Sequence, residues 1–308
     1  MEGKLVSVII PTHNRKRQVL ACLESLMDAD YPSFEVIVVD NASEDGTAEA
    51  IETSFPSVKV VRLGRNTGAV TGRNEGIRHA KGGYLCFVDS DNLLRRDFLL
   101  ELVRTAERDP RAGFVGPKMY FRSDPRRIWY AGVEIDHRTS RTSYRGLNEI
   151  DTGKYDREEE VHHIPNVWLV KREVIGAIGG MDPEYVMTYG EAEWAARARL
   201  AGFKVLFCPS AVVYHDIPLP GEQKGLRAKI GFDSPYRIFY AARNRALYMR
   251  RFAKKGDYLA FILLYNNLFL IWYCGLLAAS GRFDLMKAYI KGYLSGISRG
   301  SALRKTPA

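Results

Sequence analysis

Four short apolar runs punctuate the first ninety residues, and their spacing is the tightest constraint on the fold. They are "LVSVII" (5–10), "FEVIVVD" (34–40), "VKVVRL" (58–63) and "YLCFV" (84–88). Segments of helical spacing separate them: 15–29, with Val19, Leu20, Leu23 and Leu26 on one side, a helix from about Thr47, and 66–80 behind a Gly-rich turn. A further helix is expected over 97–107. Near-continuous apolar runs are strands buried on both faces, and their alternation with helices implies a parallel sheet covered by helices. In such sheets ligands bind beyond the carboxyl ends of the strands, where the strand order reverses. That rim gathers Pro11–Asn14, Asp40 with Asn41, and Asp89–Asp91.

The last of these is the most pointed. In "YLCFVDSDN" a buried run ends in two carboxylates one residue apart, Asp89 and Asp91, and like charges at such a place need a cation. Mg²⁺ or Mn²⁺ suits the pattern, because either accepts few protein oxygens and completes its shell with phosphate. His215 closes another apolar run, "AVVYH", and its imidazole is a candidate third ligand. The alternative for Asp91 is the cap of the next helix, and for His215 a satisfied buried side chain. The chain has 308 residues and a formal net charge of +9, which points to an anionic partner. Nucleic acid is set aside because the positive charge clusters beside an apolar tail rather than along an aromatic-bearing groove.

Beyond residue 117 the pattern weakens into loops and a hairpin, then returns as "NVWLVKREVIGAIGGMDPEY" (166–185), a helix over 190–202 and extended structure over 203–215. The four scattered cysteines, Cys22, Cys86, Cys208 and Cys274, read as reduced thiols of a cytoplasmic protein. The amino-terminal residues lack the pattern of a signal peptide.

Six segments occur in order: "VSVIIPTHNR", "FEVIVVDNASEDGT", "GRNTGAVTGRNEGI", "YLCFVDSDN", "GGMDPEY" and "GEAEWAARARLAGF…AVVYH". Together they resemble the inverting family 2 glycosyltransferases with a GT-A fold, particularly the rhamnosyltransferase-like branch. The resemblance implies a Rossmann-like, mostly parallel sheet with helices on both faces over 1–216, split into a nucleotide-binding half (1–116) and an acceptor-binding half (117–216). It implies transfer of a hexosyl or deoxyhexosyl group from a UDP- or dTDP-sugar to a glycan or lipid-linked acceptor. By the same resemblance Pro11, Thr12, Asn14, Asp40, Asn66, Arg73 and Asp89 face the donor, and Asp91 holds the metal with Asp89 and His215. The family's Glu-Asp pair falls on Gly190 and Glu191, a departure that makes Glu191 the expected base and leaves Glu193 as its rival. Trp168 and Asp182 are expected at the acceptor. A nucleotidyltransferase fits less well, since "PTHNR" is no Gly-rich phosphate loop; a non-catalytic nucleotide-sugar binder is the remaining alternative.

After residue 216 come a Gly/Pro-rich segment with Lys224, Arg227 and Lys229, expected to fold over the donor as a mobile loop, and a basic helix running to 257. Tyr258–Gly281 then carries no charged residue. Basic residues flank it on both sides: Arg243, Arg245, Arg250, Arg251, Lys254 and Lys255 upstream, and Arg282, Lys287, Lys291, Arg299, Arg304 and Lys305 downstream. Two basic flanks disfavour a single pass, so 258–308 is expected to lie on, or dip into, the anionic inner face of the cell membrane.

Overall fold

The structure is a computed structural model that describes residues 4–219 and 232–298. The expected mobile cations Lys224, Arg227 and Lys229 lie outside the described residues.

The first half runs β1 (Val6–Thr12), α1 (Lys16–Met27), β2 (Phe34–Asp40), α2 (Thr47–Ser54), β3 (Lys59–Arg62), α3 (Ala69–His79), β4 (Tyr84–Val88), β5 (Asn92–Leu94) and α4 (Phe98–Arg108). The second runs β6 (Ala112–Phe121), β7 (Asp124–Tyr130), β8 (Val133–Ile135), β9 (Thr142–Tyr144), β10 (Glu159–Glu160), β11 (Val167–Lys171), α5 (Arg172–Ile178), α6 (Gly190–Leu200) and β12 (Lys204–His215). All but β8 and β9, which pair with each other, join one sheet whose main path is β10-β12-β6-β11-β4-β1-β2-β3. The pairs β1–β2, β1–β4 and β2–β3 are parallel, as the apolar runs require. β11 joins β4 and β6 antiparallel, so one sheet carries both halves. Strand order reverses at β1, which puts the ends of β1, β2 and β4 side by side.

Two expectations change here. The division at 116/117 cuts through β6, a ten-residue strand buried along nearly all its length. Its sequence, "AGFVGPKMYF", hides it, because Gly, Pro and Lys are strand breakers in isolation. The structure explains the glycine and the lysine. A side chain at Gly116 would sit 2.2 Å from Ile164 Cγ2, so only glycine fits. The buried Lys118 ammonium is neutralised by Asp151 at 2.9 Å and by Asp156. Secondly, Asp91 caps no helix: the chain enters β5, which pairs antiparallel with the end of β12 and places Asn92 opposite His215.

The tail forms three helices: α7 (Pro235–Phe252), α8 (Lys255–Ala279) and α9 (Phe283–Ser298). Ser234 caps α7 by accepting the Arg237 N–H at 3.3 Å, with Pro235 at the first helical position. α8 contains one π-helical turn, Phe261–Tyr265. Asn267 spans that irregularity, donating to Ile262 O at 3.1 Å and Leu263 O at 2.9 Å while accepting from Tyr293 at 2.6 Å. Asn266 is buried. Both asparagines are thus held by the protein, and the exposed ridge of α8 is apolar: Leu263, Leu264, Leu268, Ile271 and Trp272.

α7 and α9 cross at backbone contact. A methyl group at Gly292 would lie 2.2 Å from Phe239 O, and one at Gly296 2.9 Å from Arg243 O. Gly292→Ala should therefore part the two helices and cost about 1–3 kcal/mol in chemical denaturation. Gly275, with nothing within 4 Å, is the internal control: alanine there should stabilise by up to about 1 kcal/mol through helix propensity.

Candidate active site

The register Thr12↔Asp40 sets the ends of β1 and β2 side by side. Among the described residues, three buried polar atoms there have no partner: Thr12 Oγ1, His13 Nδ1 and Asp40 Oδ1. The other Asp40 oxygen accepts the Ser43 N–H at 3.3 Å, which leaves the first as an unused acceptor. Asn14 is a brace: Ser43 Oγ accepts its backbone N–H at 2.9 Å, and its own Oδ1 accepts the Glu44 N–H at 2.8 Å. Asn66 is likewise engaged, accepting the Gly68 N–H at 3.0 Å. Pro11 is buried in β1 and contributes shape.

Arg73, expected at the donor, is only 3% exposed and is already neutralised inside the protein. Its Nη2 reaches Asp89 Oδ1 at 2.5 Å and its Nη1 reaches Glu191 Oε1 at 2.6 Å. The guanidinium lies over the Trp168 ring at 4.8 Å. Trp168 stacks in turn on Phe87 at 5.2 Å, and Trp194 meets Phe87 edge-on at 5.5 Å. At 1% exposed, Trp168 has no face left for a sugar; it supports Arg73 instead, which corrects its expected acceptor role.

The two rival glutamates separate cleanly. Glu193 is fully buried and bound by Arg197 and Arg251, each at 2.7 Å from Oε1. Asp182, expected at the acceptor, belongs to the same cluster through Arg251 at 3.1 Å. That cluster locks α6 to α7 and leaves Glu193 no room to act as a base. Glu191 instead lines a cavity of about 500 Å³ that also takes in Tyr144, His163, Thr188, Tyr189 and Arg245. Burial pushes its carboxyl up, but Arg73, its own backbone N–H and His163 outweigh that and hold it below the ordinary value. For Asp89 burial prevails, reinforced by Asp91 and Glu191 against the pull of Arg73, and its carboxyl is raised.

Asp91 and His215 face each other, Oδ1 to Nε2, at 3.5 Å, with Asn166 Nδ2 3.3 Å from the same imidazole nitrogen. Burial raises the Asp91 carboxyl, and the His215 contact overrides it, leaving a carboxylate more acidic than usual. Among the described residues no three His, Cys, Asp or Glu side chains are gathered to hold a metal ion. The paired carboxylate and imidazole nevertheless fit a divalent cation that draws its remaining oxygens from phosphate and water. Asp89, two residues before Asp91, is turned toward Arg73.

Sequence reasoning missed His163, whose ring is 7% exposed with Nδ1 unpartnered. Nothing in its local sequence marks it, since it is set beside Glu191 by the isolated bridge of Val133 to His163. Burial pushes its imidazole down to about 4, against the attraction of Glu191 and Glu134. Between about pH 4 and the ordinary value of 6.5, the unfolded chain binds a proton that the folded chain refuses, so stability rises with pH across that window. The full term is about 3 kcal/mol. Unfolding of His163→Asn followed across pH 4–6.5 should show a correspondingly flatter pH dependence than the parent.

Residues 7–179, more than half of the chain, match the family model described as Glycosyl transferase family 2. The chain is 37% identical over 111 residues to an uncharacterized glycosyltransferase of Haemophilus influenzae, covering 36% of this chain and 37% of the relative. It is 32% identical over 230 residues to the uncharacterized protein y4gI of Sinorhizobium fredii, covering 70% of this chain and 25% of that one. The chain thus spans about a third or less of the length of these two curated relatives. Over 231 residues it is 25% identical to the glycosyltransferase AglE of Haloferax volcanii, covering 73% and 71% of the two chains. Two solved structures share the fold. GalNAc-T7 with UDP, GalNAc and Mn²⁺ superposes with a TM-score of 0.59 at 17% identity, over 90% of this chain and 58% of that one. The mannosyltransferase PcManGT of Pyrobaculum calidifontis with GDP-Man and Mn²⁺ gives 0.53 at 19%, over 98% and 89%. The mostly parallel sheet with its helices is a GT-A fold, and the chain belongs to glycosyl transferase family 2.

Proposed function

We propose that the protein is an inverting glycosyltransferase that moves a hexosyl or deoxyhexosyl group from a UDP- or dTDP-sugar to a glycan or lipid-linked glycan, with Glu191 as general base. One observation carries this reading: Glu191 faces a cavity while Arg73 holds it anionic and ties it to Asp89 of the paired-aspartate motif. A base must be unprotonated at working pH and within reach of the acceptor hydroxyl, and this arrangement supplies both. The free Asp40 oxygen accepts a ring N–H of the nucleobase, with Thr12 beside it. Asp91 and His215, with Asp89 alongside, would hold Mn²⁺ or Mg²⁺, which would supply charge neutralisation to a diphosphate leaving group. Support comes from the similar folds solved with nucleotide and Mn²⁺.

Glu191→Gln removes the proton acceptor and keeps the shape, so kcat should fall by about 10²–10⁴ while nucleotide-sugar affinity holds. Glu193→Gln should act on the denaturation midpoint instead. The acid limb of kcat/KM should lie below the ordinary glutamate value of 4.5, and Arg73→Met should move it upward. An unchanged kcat for Glu191→Gln would remove Glu191 from the mechanism.

The work is done, in this reading, at the cytoplasmic face of the cell membrane. α8 is long and apolar enough to cross a bilayer by length and composition. Its asparagine-bearing side is engaged with the protein, so the apolar ridge lies in the interface rather than spanning it. The basic flank needs correction, because Arg243 and Arg245 are buried and Arg250 and Arg251 are bound inside the fold. Lys254, Lys255, Lys287 and Lys291 remain exposed for anionic lipid. The double variant Leu263→Glu/Ile271→Glu should abolish co-sedimentation with anionic vesicles without altering the melting temperature; retained binding would sink the membrane assignment.

A further inference from the structure

The cavity beside Glu191 holds more unanswered polar chemistry than a neutral sugar accounts for. Among the described residues, four buried atoms on its wall have no hydrogen-bond partner: Ser140 Oγ, His163 Nδ1, Thr188 Oγ1 and Arg245 Nε. Buried polar groups are nearly always paired, so four on one wall mark a surface that a polar ligand completes.

Arg245 decides what kind of ligand. It is 9% exposed and forms no ion pair among the described residues. Its Nη1 donates to Tyr289 at 3.3 Å, and its planar face lies on Phe269 at 4.2 Å. The groups that act on it are the phenols Tyr189, Tyr273 and Tyr289 rather than a carboxylate. A desolvated guanidinium without an anion is costly, and its fork matches phosphate oxygens in pairs. Glu191, the one carboxylate among the cavity-lining residues, is already neutralised by Arg73, and the exposed Arg141 adds a second cation.

We infer that Arg245 binds a phosphate group of the acceptor, and that the acceptor is a sugar joined through phosphate to a long hydrocarbon chain. The inference rests on Glu191 being the base and deepens that reading by naming the acceptor class. Arg245 sits between the two ends of such a molecule. On one side it meets Tyr189, two residues before Glu191, where the sugar hydroxyl must lie. On the other it meets Phe269 and Tyr273 of α8, next to the exposed Leu268, Ile271 and Trp272. Sugar, phosphate and hydrocarbon then meet base, cation and apolar ridge in the same order.

The test uses the full chain with UDP and Mn²⁺ present to occupy the donor loops, and measures binding of farnesyl phosphate, farnesol and inorganic phosphate by calorimetry. Farnesyl phosphate should bind the parent, at least tenfold less tightly to Arg245→Met, and between the two to Arg245→Lys, which keeps the charge and loses the fork. Thr188→Val, which deletes an unpartnered hydroxyl without touching a packed charge, should lose two- to fivefold and keeps the test open if Arg245→Met does not fold. Equal binding of farnesyl phosphate to the parent and Arg245→Met, or to the parent and Thr188→Val, overturns the phosphate site. Farnesol binding as tightly as farnesyl phosphate overturns it too. Inorganic phosphate binding as tightly as farnesyl phosphate assigns the anion to a water-soluble acceptor and overturns the hydrocarbon part. Hydrolysis of nucleotide sugar by the parent is scored separately: its absence fails the transferase reading and leaves the binding comparison standing.

Discussion

The site depends on one buried cation between two anions. Arg73 comes from the first turns of α3, Asp89 from the end of β4 and Glu191 from the first turn of α6, and the arginine joins all three within 2.6 Å contacts. Any of these charges alone in so dry a place would be unfavourable, and removing Arg73 would strand both carboxylates. The contacts therefore fix where α6 begins relative to the sheet, and with it the direction in which Glu191 faces. Trp168 and Phe87 make the floor rigid, since a stacked pair anchored on β11 and β4 cannot yield without opening the core. The position of Glu191 and the lowering of its carboxyl below the ordinary value both depend on its contact with Arg73.

The first half of the fold was legible because its strands are apolar on both faces and its helices carry a clean stripe. Val19, Leu23 and Leu26 of α1 are buried as their spacing requires. The second half was not, and β6 shows why. Its glycines fit against Ile164 and Phe203, and its lysine is balanced by Asp151 and Asp156, partners more than thirty residues away. Local sequence carries no trace of such compensation. The same holds at the site: the paired aspartates could be read from a strand ending in charge, whereas the Arg73 bridge, at a separation of 118 residues from Glu191, could not.

The basic tail shows how composition misleads without geometry. Read as a run, 243–255 is a membrane-seeking patch. In the fold, Arg243 donates to Glu184 O, Asn244 donates to Thr188 O at 3.0 Å, and Arg251 holds Glu193 and Asp182. Arg250 takes the last free carbonyls of α9, Gly296 O and Ile297 O, at 2.8 Å each. α7 is thus a brace for the loop that leads into α6.

That brace bears on the turn that leads into Gly190 and Glu191. Thr188 and Tyr189 both take positive φ, 57° and 61°, a strained conformation that their contacts to α7 sustain. The turn brings Gly190 so close to α3 that an added Cβ would lie 3.0 Å from Val70 Cγ2 and 3.4 Å from Tyr185 O. A side chain at 190 would press on Val70, so that Val70 or the start of α6 would have to give by a few tenths of an ångström. With glycine there, α6 starts near Arg73, and the longer side chain at 191 reaches the guanidinium. Gly190 thus sets where α6 starts against α3, and Glu191 places its carboxylate on Arg73.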